Sequence, residues 1–448
     1  MLDDDDFQSY SPDLTGGADE EENNTAAPEN RSPSVTRNNA SKPLLEWMDI
    51  NISEPERRYG VSMKMQETYM VYLIETRIKD AEITEYGDPA CSVWRRYSEF
   101  ELLRNYLDIV YPAVIIPPLP EKRAASMNTT TLMSYARQNV STDRFDTDYI
   151  ERRRAGLETF LLRCAAHSEL GHDKILVVFL RQEDGWKDVL YSTGYQMKAD
   201  SLLSRLSAGY RIRRPDRRIE ELKNYSSDLQ SNISNILKMR AKLCDKVYGI
   251  HKVHANYGRV FSEWSGMEKE MGDGLQSAGH FLDVYASSID SLLEDEEQFA
   301  DQLKEYYAYS DALRSVCRKH EIIELDLEKL EDGLSSKKNQ KNMLVQGKTS
   351  FSLSGMKSRL FGSDPPEVRD QKIKQLEEQI DQTEAELRLA NQEAEKFLED
   401  ALNDIDRFKK QKVSDLKDAF TNYAVMQIER CKKGIAVWQN TKECFANM

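Results

Sequence analysis

The chain of 448 residues has few cysteines, and its six lie far apart, at positions 91, 164, 244, 317, 431 and 444. No two of them have the short spacing of a metal site or a redox pair, so we predict no metal site. This use of cysteine is typical of a reduced, cytoplasmic protein. No stretch approaches the ~18 apolar residues of a transmembrane helix, and the acidic start Met1–Asp6 is unlike a signal peptide. We therefore expect any contact with a membrane to be peripheral.

Motifs of enzyme active sites are also missing. The sequence has no Gly-x-Ser-x-Gly, no His-Glu-x-x-His and no dinucleotide fingerprint. Gly347-Lys348-Thr349 resembles the end of a phosphate-binding loop, but Asn342 occupies the position where that motif needs a glycine. We therefore predict no catalytic residue, no cofactor and no small-molecule substrate.

The chain also has no excess of basic residues, because its formal net charge is -15. This charge argues against a nucleic-acid partner, whose phosphates are bound by basic residues. The excess is uneven: residues 1–46 carry 11 acidic and 3 basic residues, so the rest of the chain can still have basic patches. Residues 1–46 are rich in Asp, Glu, Asn and Ser with few apolar residues, which predicts a disordered acidic tail.

Residues 47–185 have the composition of a small domain with strands and helices. Thr68–Thr76 and Cys91–Tyr97 are rich in β-branched and aromatic residues, and the turn signal Tyr86–Pro89 lies between them. This order predicts a β-hairpin. We expect a compact α+β domain with a small antiparallel sheet.

The same domain carries signals for two helices and a stiff loop. Ser98 as N-cap, with Glu101 in the capping-box position, predicts a helix that ends at Pro112. Ile115–Pro120 contains too many prolines for a helix or a central strand and predicts a polyproline loop. A second helix is predicted over about 146–167.

After Trp186 no strand pattern recurs. Residues 186–215 predict an amphipathic linker helix followed by a basic run, and residues 216–448 predict three long helices. The third helix keeps a heptad seam of Ile373, Leu376, Ile380, Thr383, Leu387, Ala390, Ala394, Phe397 and Ala401. Breaks are predicted at 271–274 and 345–366. Such apolar stripes need partner helices, so we expect an elongated, all-α antiparallel three-helix bundle that dimerises.

The string Arg-Arg-Tyr-Ser-Glu-Phe at 95–100 carries the most chemical information. A guanidinium presents donors that match the oxygens of a phosphate, and the adjacent ring offers a face for a sugar-like ring. Lys122 follows the polyproline loop, and Arg152–Arg154 opens the second helix. Each feature alone is usually a solvated charged face, but their combination favours an anion site.

With Arg153–Glu158, these motifs resemble the Phox-homology (PX) domain, a phosphoinositide-binding module, and the long helices resemble the BAR domain of the sorting nexins. The resemblance covers about residues 47–448 and leaves out the acidic tail. It implies a PX domain over 47–185 and a BAR domain over 216–448.

The resemblance also assigns binding roles to single residues. It places the 3-phosphate of phosphatidylinositol 3-phosphate on Arg96 with Ser98 beside it, and the inositol ring against Tyr97. It places the 1-phosphate on Lys122 and the 4- and 5-hydroxyls on Arg153. Arg152 and Arg154 are expected to be surface charges, and Arg95 is expected to point to the opposite strand face from Arg96.

The function implied by the resemblance is that of a non-catalytic adaptor on the cytosolic face of early endosomes. Its BAR domain would sense or stabilise curved membrane as a homodimer or as a heterodimer with another sorting nexin. Similarity to recycling members of the family further implies recycling of receptors of the transferrin receptor type and a supporting role in autophagy. The alternative is a coiled-coil scaffold with a vestigial lipid pocket, localised by protein contacts.

The sequence offers three further candidates for membrane contact. The segment 199–210 can insert an apolar face, and Lys238, Lys242 and Lys246 lie on one helix face. The ordinary explanation for these lysines is helix-surface charge, because acidic residues are interspersed. Apolar residues in 351–361 can touch lipid at the bundle tip, but a flexible connection is the simpler interpretation.

Overall fold

The computed structural model describes residues 42–62, 65–79, 88–122, 147–206, 212–346 and 366–448. The elements in chain order are α1 (Leu44–Trp47), β1 (Met48–Ile52), β2 (Glu56–Ser62), β3 (Met65–Ile78), β4 (Ala90–Arg96), α2 (Tyr97–Val110), α3 (Thr147–Ala166), a 3-10 turn (Leu170–His172), α4 (Lys174–Arg181), α5 (Trp186–Ser192), α6 (Tyr195–Leu206), α7 (Arg217–Ser265), α8 (Gly272–Val345) and α9 (Pro366–Ala446). The predictions for residues 1–41, 207–211 and 351–361 concern parts of the chain outside the described residues.

The sheet is antiparallel and is built around the long strand β3. β1 and β2 pair with successive parts of one edge of β3, and β4 pairs with the other edge. Burial alternates along β1, where Met48, Ile50 and Ile52 face the core. The predicted hairpin is confirmed in β3 and β4, while its turn falls partly outside the described residues.

Helix α2 begins earlier than the sequence predicted. The backbone N–H of Arg96 donates to Glu99 Oε2 at 2.8 Å, so Glu99 and not Glu101 reaches back to the start of the helix. The capping box at Ser98 and Glu101 was therefore wrong, because Ser98 already lies inside the first turn. One face of α2 is buried in the core through Phe100, Leu103 and Leu107.

Two ends of the small domain differ from the predicted elements. Leu44, expected in the acidic tail, lies in α1 and is 1% exposed, because it packs in the core with α3. The linker expected to be one amphipathic helix contains two helices, α5 and α6. Trp186, Leu190 and Tyr195 of this linker are buried in the same core as the sheet.

The remaining helices α7, α8 and α9 form the second core. They contain 49, 74 and 81 residues, so the two longer ones are each on the order of 110–120 Å at ~1.5 Å per residue. The predicted seam is confirmed on α9, where Ile380, Thr383, Ala394, Phe397 and Ala401 are buried. Within the described ranges, no helix is apolar enough over a sufficient length to cross a bilayer.

Candidate functional site

Tyr97 lies where β4 meets α2 and is the centre of the candidate site. Its hydroxyl donates to the carbonyl oxygen of Pro120 at 2.6 Å, which ties the polyproline loop to the start of α2. Burial raises the pKa of Tyr97, and the Glu101 carboxylate adds to this effect while Arg153 opposes it. The phenol therefore stays neutral and remains a donor.

Lys122 follows the polyproline loop and points its ammonium group toward Tyr97. Its Nζ lies 5.4 Å from the centroid of the Tyr97 ring and 2.5 Å from Glu101 Oε2. The side chain is 54% exposed, so an anion can reach it from solvent. The polyproline loop packs directly against α3 at Gly156. A Cβ added at Gly156 would lie 2.7 Å from Pro120 Cβ, which is too close for the loop to stay in place.

Arg153, on α3, completes the group around the tyrosine. Its guanidinium carbon lies 4.7 Å from the centroid of the Tyr97 ring and 4.5 Å from that of Tyr149, and it donates to the Tyr149 hydroxyl. Its Nε is buried and has no hydrogen-bond partner among the described residues. Tyr97, Lys122 and Arg153 thus form a half-open cationic group around one aromatic ring.

Arg96 and Ser98 flank this group on the chain. Arg96 is exposed, and its guanidinium carbon lies 3.3 Å from the centroid of the Tyr69 ring on β3. Ser98 is exposed in the first turn of α2. The structure thus gathers Tyr97, Lys122 and Arg153, and it places Arg96 on a neighbouring ring.

The other arginines of the motifs have structural contacts. Arg95 is 2% exposed and donates to the carbonyl oxygens of Phe179 and Glu183, so the prediction that it faces away from Arg96 is confirmed. Arg154 was expected to be a surface charge, but it is half-buried and donates to Ile52 O and Glu158 Oε2. Arg152 is more exposed and pairs with Glu297 of α8 at 3.2 Å.

Sequence reasoning missed the residues that join the site to the helical bundle. Asp404 of α9 accepts from the backbone N–H of Ile115 at 2.7 Å. Lys319 of α8 donates to Asp108, near the end of α2, at 2.7 and 2.8 Å. Both are charged residues within helical repeats, and no motif or spacing marks either as buried.

Comparison with known proteins identifies the first part of the chain. A model of the PX domain matches residues 84–183, which include all five predicted site residues. Sorting nexin-4 of Bos taurus is 54% identical over 420 residues, which cover 92% of this chain and 90% of the relative. Sorting nexin-4 of Homo sapiens is 54% identical over 90% of this chain and 88% of the relative.

The fold has a solved counterpart. The structure described as "The cryo-EM structure of the SNX-BAR Mvp1 tetramer" superposes with a TM-score of 0.57 at 17% identity. It covers 88% of this chain and 99% of that chain, so the α+β domain and the three-helix bundle are shared together. With relatives above half identity along most of its length, a PX domain and a BAR-type bundle, the chain belongs to the sorting nexins, membrane-associated adaptors of endosomal sorting.

Proposed function

We propose that the chain binds phosphatidylinositol 3-phosphate on early endosomes through Arg96, Tyr97, Ser98, Lys122 and Arg153. The observation that carries this proposal is the placement of Lys122 and Arg153 over one half-buried ring, 5.4 and 4.7 Å from its centroid. The Tyr97 ring offers a face to the inositol ring of the lipid, and the two cations beside it can bind the phosphates and hydroxyls that this ring carries. Arg96 is exposed, so its guanidinium can leave the Tyr69 ring and bind a phosphate that arrives from solvent.

The helical bundle supports a second proposal, that the chain acts as a dimer on curved membrane. Large apolar residues at helical spacing are exposed on α7 and on α9: Met239, Leu243, Ile250, Val253, Tyr257, Val260, Trp264, Phe420, Ile428, Ile435, Trp438 and Phe445. A monomer rarely leaves such a patch in water. We propose that a second chain covers it, either another copy or a related sorting nexin.

These two contacts fit the role inferred from the relatives. One lipid headgroup gives only reversible attachment, so stable recruitment needs a second contact such as the bundle. We infer a non-catalytic adaptor that senses or stabilises curved endosomal tubules. Recycling of receptors of the transferrin receptor type and a role in autophagy are the cellular processes that we propose for it.

Vesicle flotation tests the lipid assignment. We expect Arg96→Ala and Arg153→Ala to lose flotation with phosphatidylcholine vesicles that contain phosphatidylinositol 3-phosphate, while mass and folding stay unchanged. Arg152→Ala is the matched control. It removes the same charge from the residue next to Arg153, but the Arg152 side chain pairs with Glu297 of the bundle and not with the candidate site. Flotation of Arg96→Ala at the wild-type level would refute the pocket.

Molar mass tests the dimer. Ile435 and Trp438 are 58% and 53% exposed, and we expect the double substitution Ile435→Asp and Trp438→Asp to halve the mass measured by light scattering. Leu389→Asp is the control, since Leu389 is an equally exposed apolar residue on the same helix, outside the proposed interface. An unchanged mass for the double variant would show that another surface joins the chains.

A further inference from the structure

The polyproline loop lies between the two cores of the molecule. Val114 and Ile116 are buried in the core of the PX domain, whereas Ile115 between them is buried in the core of the helical bundle. All three side chains are at most 2% exposed. The loop that ends at Lys122 therefore has one residue inserted into the bundle.

A carboxylate of α9 holds the backbone at this point. Asp404 accepts from the N–H of Ile115 at 2.7 Å, from His167 Nε2 at 2.9 Å and from Arg407 Nε at 2.6 Å. The Nδ1 atom of His167 accepts from the amides of Glu169 and Leu170, so its proton is on Nε2 and points at Asp404. The carboxylate is thus bonded on both oxygens.

This cluster is buried, so water does not compete for its hydrogen bonds. The side chains of His167 and Asp404 are 2% and 4% exposed. Burial by itself would raise the pKa of Asp404, but the hydrogen bonds from His167 and Arg407 outweigh it and keep the pKa below its ordinary value. Asp404 therefore remains ionised, and removing it would leave the Ile115 amide unpaired inside the protein.

The loop between Ile115 and Lys122 is stiff enough to transmit this restraint. Its prolines fix φ, and Arg104 Nε donates to Pro117 O at 3.2 Å. The Tyr97 hydroxyl then holds Pro120 O at 2.6 Å. A shift at Ile115 therefore reaches both the tyrosine and the lysine of the candidate site.

We propose that Asp404 of the helical bundle is a positioning residue for the headgroup site of the PX domain. It does not contact the ligand; it fixes the loop that places Lys122 beside Tyr97. This inference rests on the proposed lipid binding and adds that the affinity for the headgroup depends on a residue of the bundle.

The test uses the full chain and soluble short-chain phosphatidylinositol 3-phosphate, with binding measured by calorimetry. We expect Asp404→Ala to weaken binding by about tenfold, because the loop is no longer preorganised. Asp404→Asn keeps one acceptor oxygen and should weaken binding by about threefold. Asp415→Asn is the matched control: it alters a carboxylate of the same helix that bonds Arg163 and does not touch the loop.

Two readouts separate positioning from a general loss of stability. Hydrogen exchange at the Ile115 amide should accelerate in the Asp404 variants and not in Asp415→Asn. The effect of Asp404→Ala should also shrink to less than about threefold in a Lys122→Ala background, since both act on the same contact.

The outcomes are distinct. If Asp404→Asn and Asp404→Ala bind as wild type while Arg96→Ala does not bind, the positioning role is wrong and the lipid site stands. If Asp404→Ala does not fold, the affinity of Asp404→Asn tests the positioning role: about threefold weaker binding supports it, and wild-type binding refutes it. If the wild-type chain does not bind the lipid, the proposed function itself fails.

Discussion

The neighbouring residues Arg95 and Arg96 should have opposite phenotypes, although they are chemically identical. Arg95 is 2% exposed, with its guanidinium 5.1 Å from the Phe179 ring and bonded to carbonyl oxygens after the end of α4. Burial lowers the pKa of Arg95, with Glu99 and Glu183 opposing this effect. Arg95 therefore supports the fold, whereas Arg96 is exposed and available to a ligand.

The magnitude follows from what Arg95→Met would leave behind. Phe179 O accepts from Nε at 3.1 Å and from Nη2 at 2.9 Å, and the oxygens of Gln182 and Glu183 accept from the same group. Each buried acceptor left unpaired costs about 1–3 kcal/mol, and relief of the buried charge returns part of this. We estimate a net loss of about 3 kcal/mol from these two terms. For a unit of PX size this corresponds to a fall of about 6–12 °C in the unfolding midpoint.

Arg96→Met should change stability little. It loses a cation–π contact with Tyr69, worth about 0.5–1 kcal/mol at an exposed site. Calorimetry of both variants, with flotation on vesicles containing phosphatidylinositol 3-phosphate, provides the comparison. We expect Arg95→Met to unfold early and Arg96→Met to lose flotation. A wild-type midpoint for Arg95→Met would refute the structural role that its carbonyl contacts imply.

Three further predictions concern other parts of the molecule. Burial lowers the pKa of His320 from its ordinary 6.5, so the unfolded chain takes up the proton first and stability should fall as pH drops below about 6.5. His320→Phe should flatten this dependence in unfolding midpoints measured from pH 7.5 to 5.5. Cys431 is exposed and Cys164 is buried, so a thiol reagent should modify Cys431 first, and more slowly in the dimer than in a monomeric variant, as read by mass spectrometry. Gly156→Val should push Pro120 away from α3 and weaken lipid binding in calorimetry without loss of the dimer.

The local sequence patterns predicted much of the fold, because they reflect contacts that repeat along one element. The strand composition of Cys91–Tyr97 and the heptad seam through Phe397 and Ala401 depend on periods of two and of three to four residues, and the structure confirms both. Element ends were less predictable. Leu44 is held by packing against α3, and no feature of the tail sequence shows that distant contact.

The candidate site was predictable to the extent that its residues form short motifs. Arg96, Tyr97 and Ser98 are consecutive, and Arg153 lies in a basic run. The bundle residues that support the site could not be found in this way. Asp404 is one of many acidic residues on α9, and only the tertiary fold brings it to Ile115, 289 positions away in the chain.

The charged contacts between the PX domain and the bundle restrict the orientation in which the proposed lipid site is presented. Arg163 binds Asp415 at 2.8 Å and also contacts Glu305, and Lys319 binds Asp108 at 2.8 Å with a side chain that is 3% exposed. Buried ion pairs add little net stability, because desolvation offsets their attraction, but their geometry restricts alternative docking positions. In the dimer proposed above, the two proposed headgroup sites reinforce each other only if both reach the membrane at once. A PX domain held in one orientation on the bundle keeps the two proposed sites in a fixed relation, whereas flexibly tethered domains reach a membrane together only part of the time.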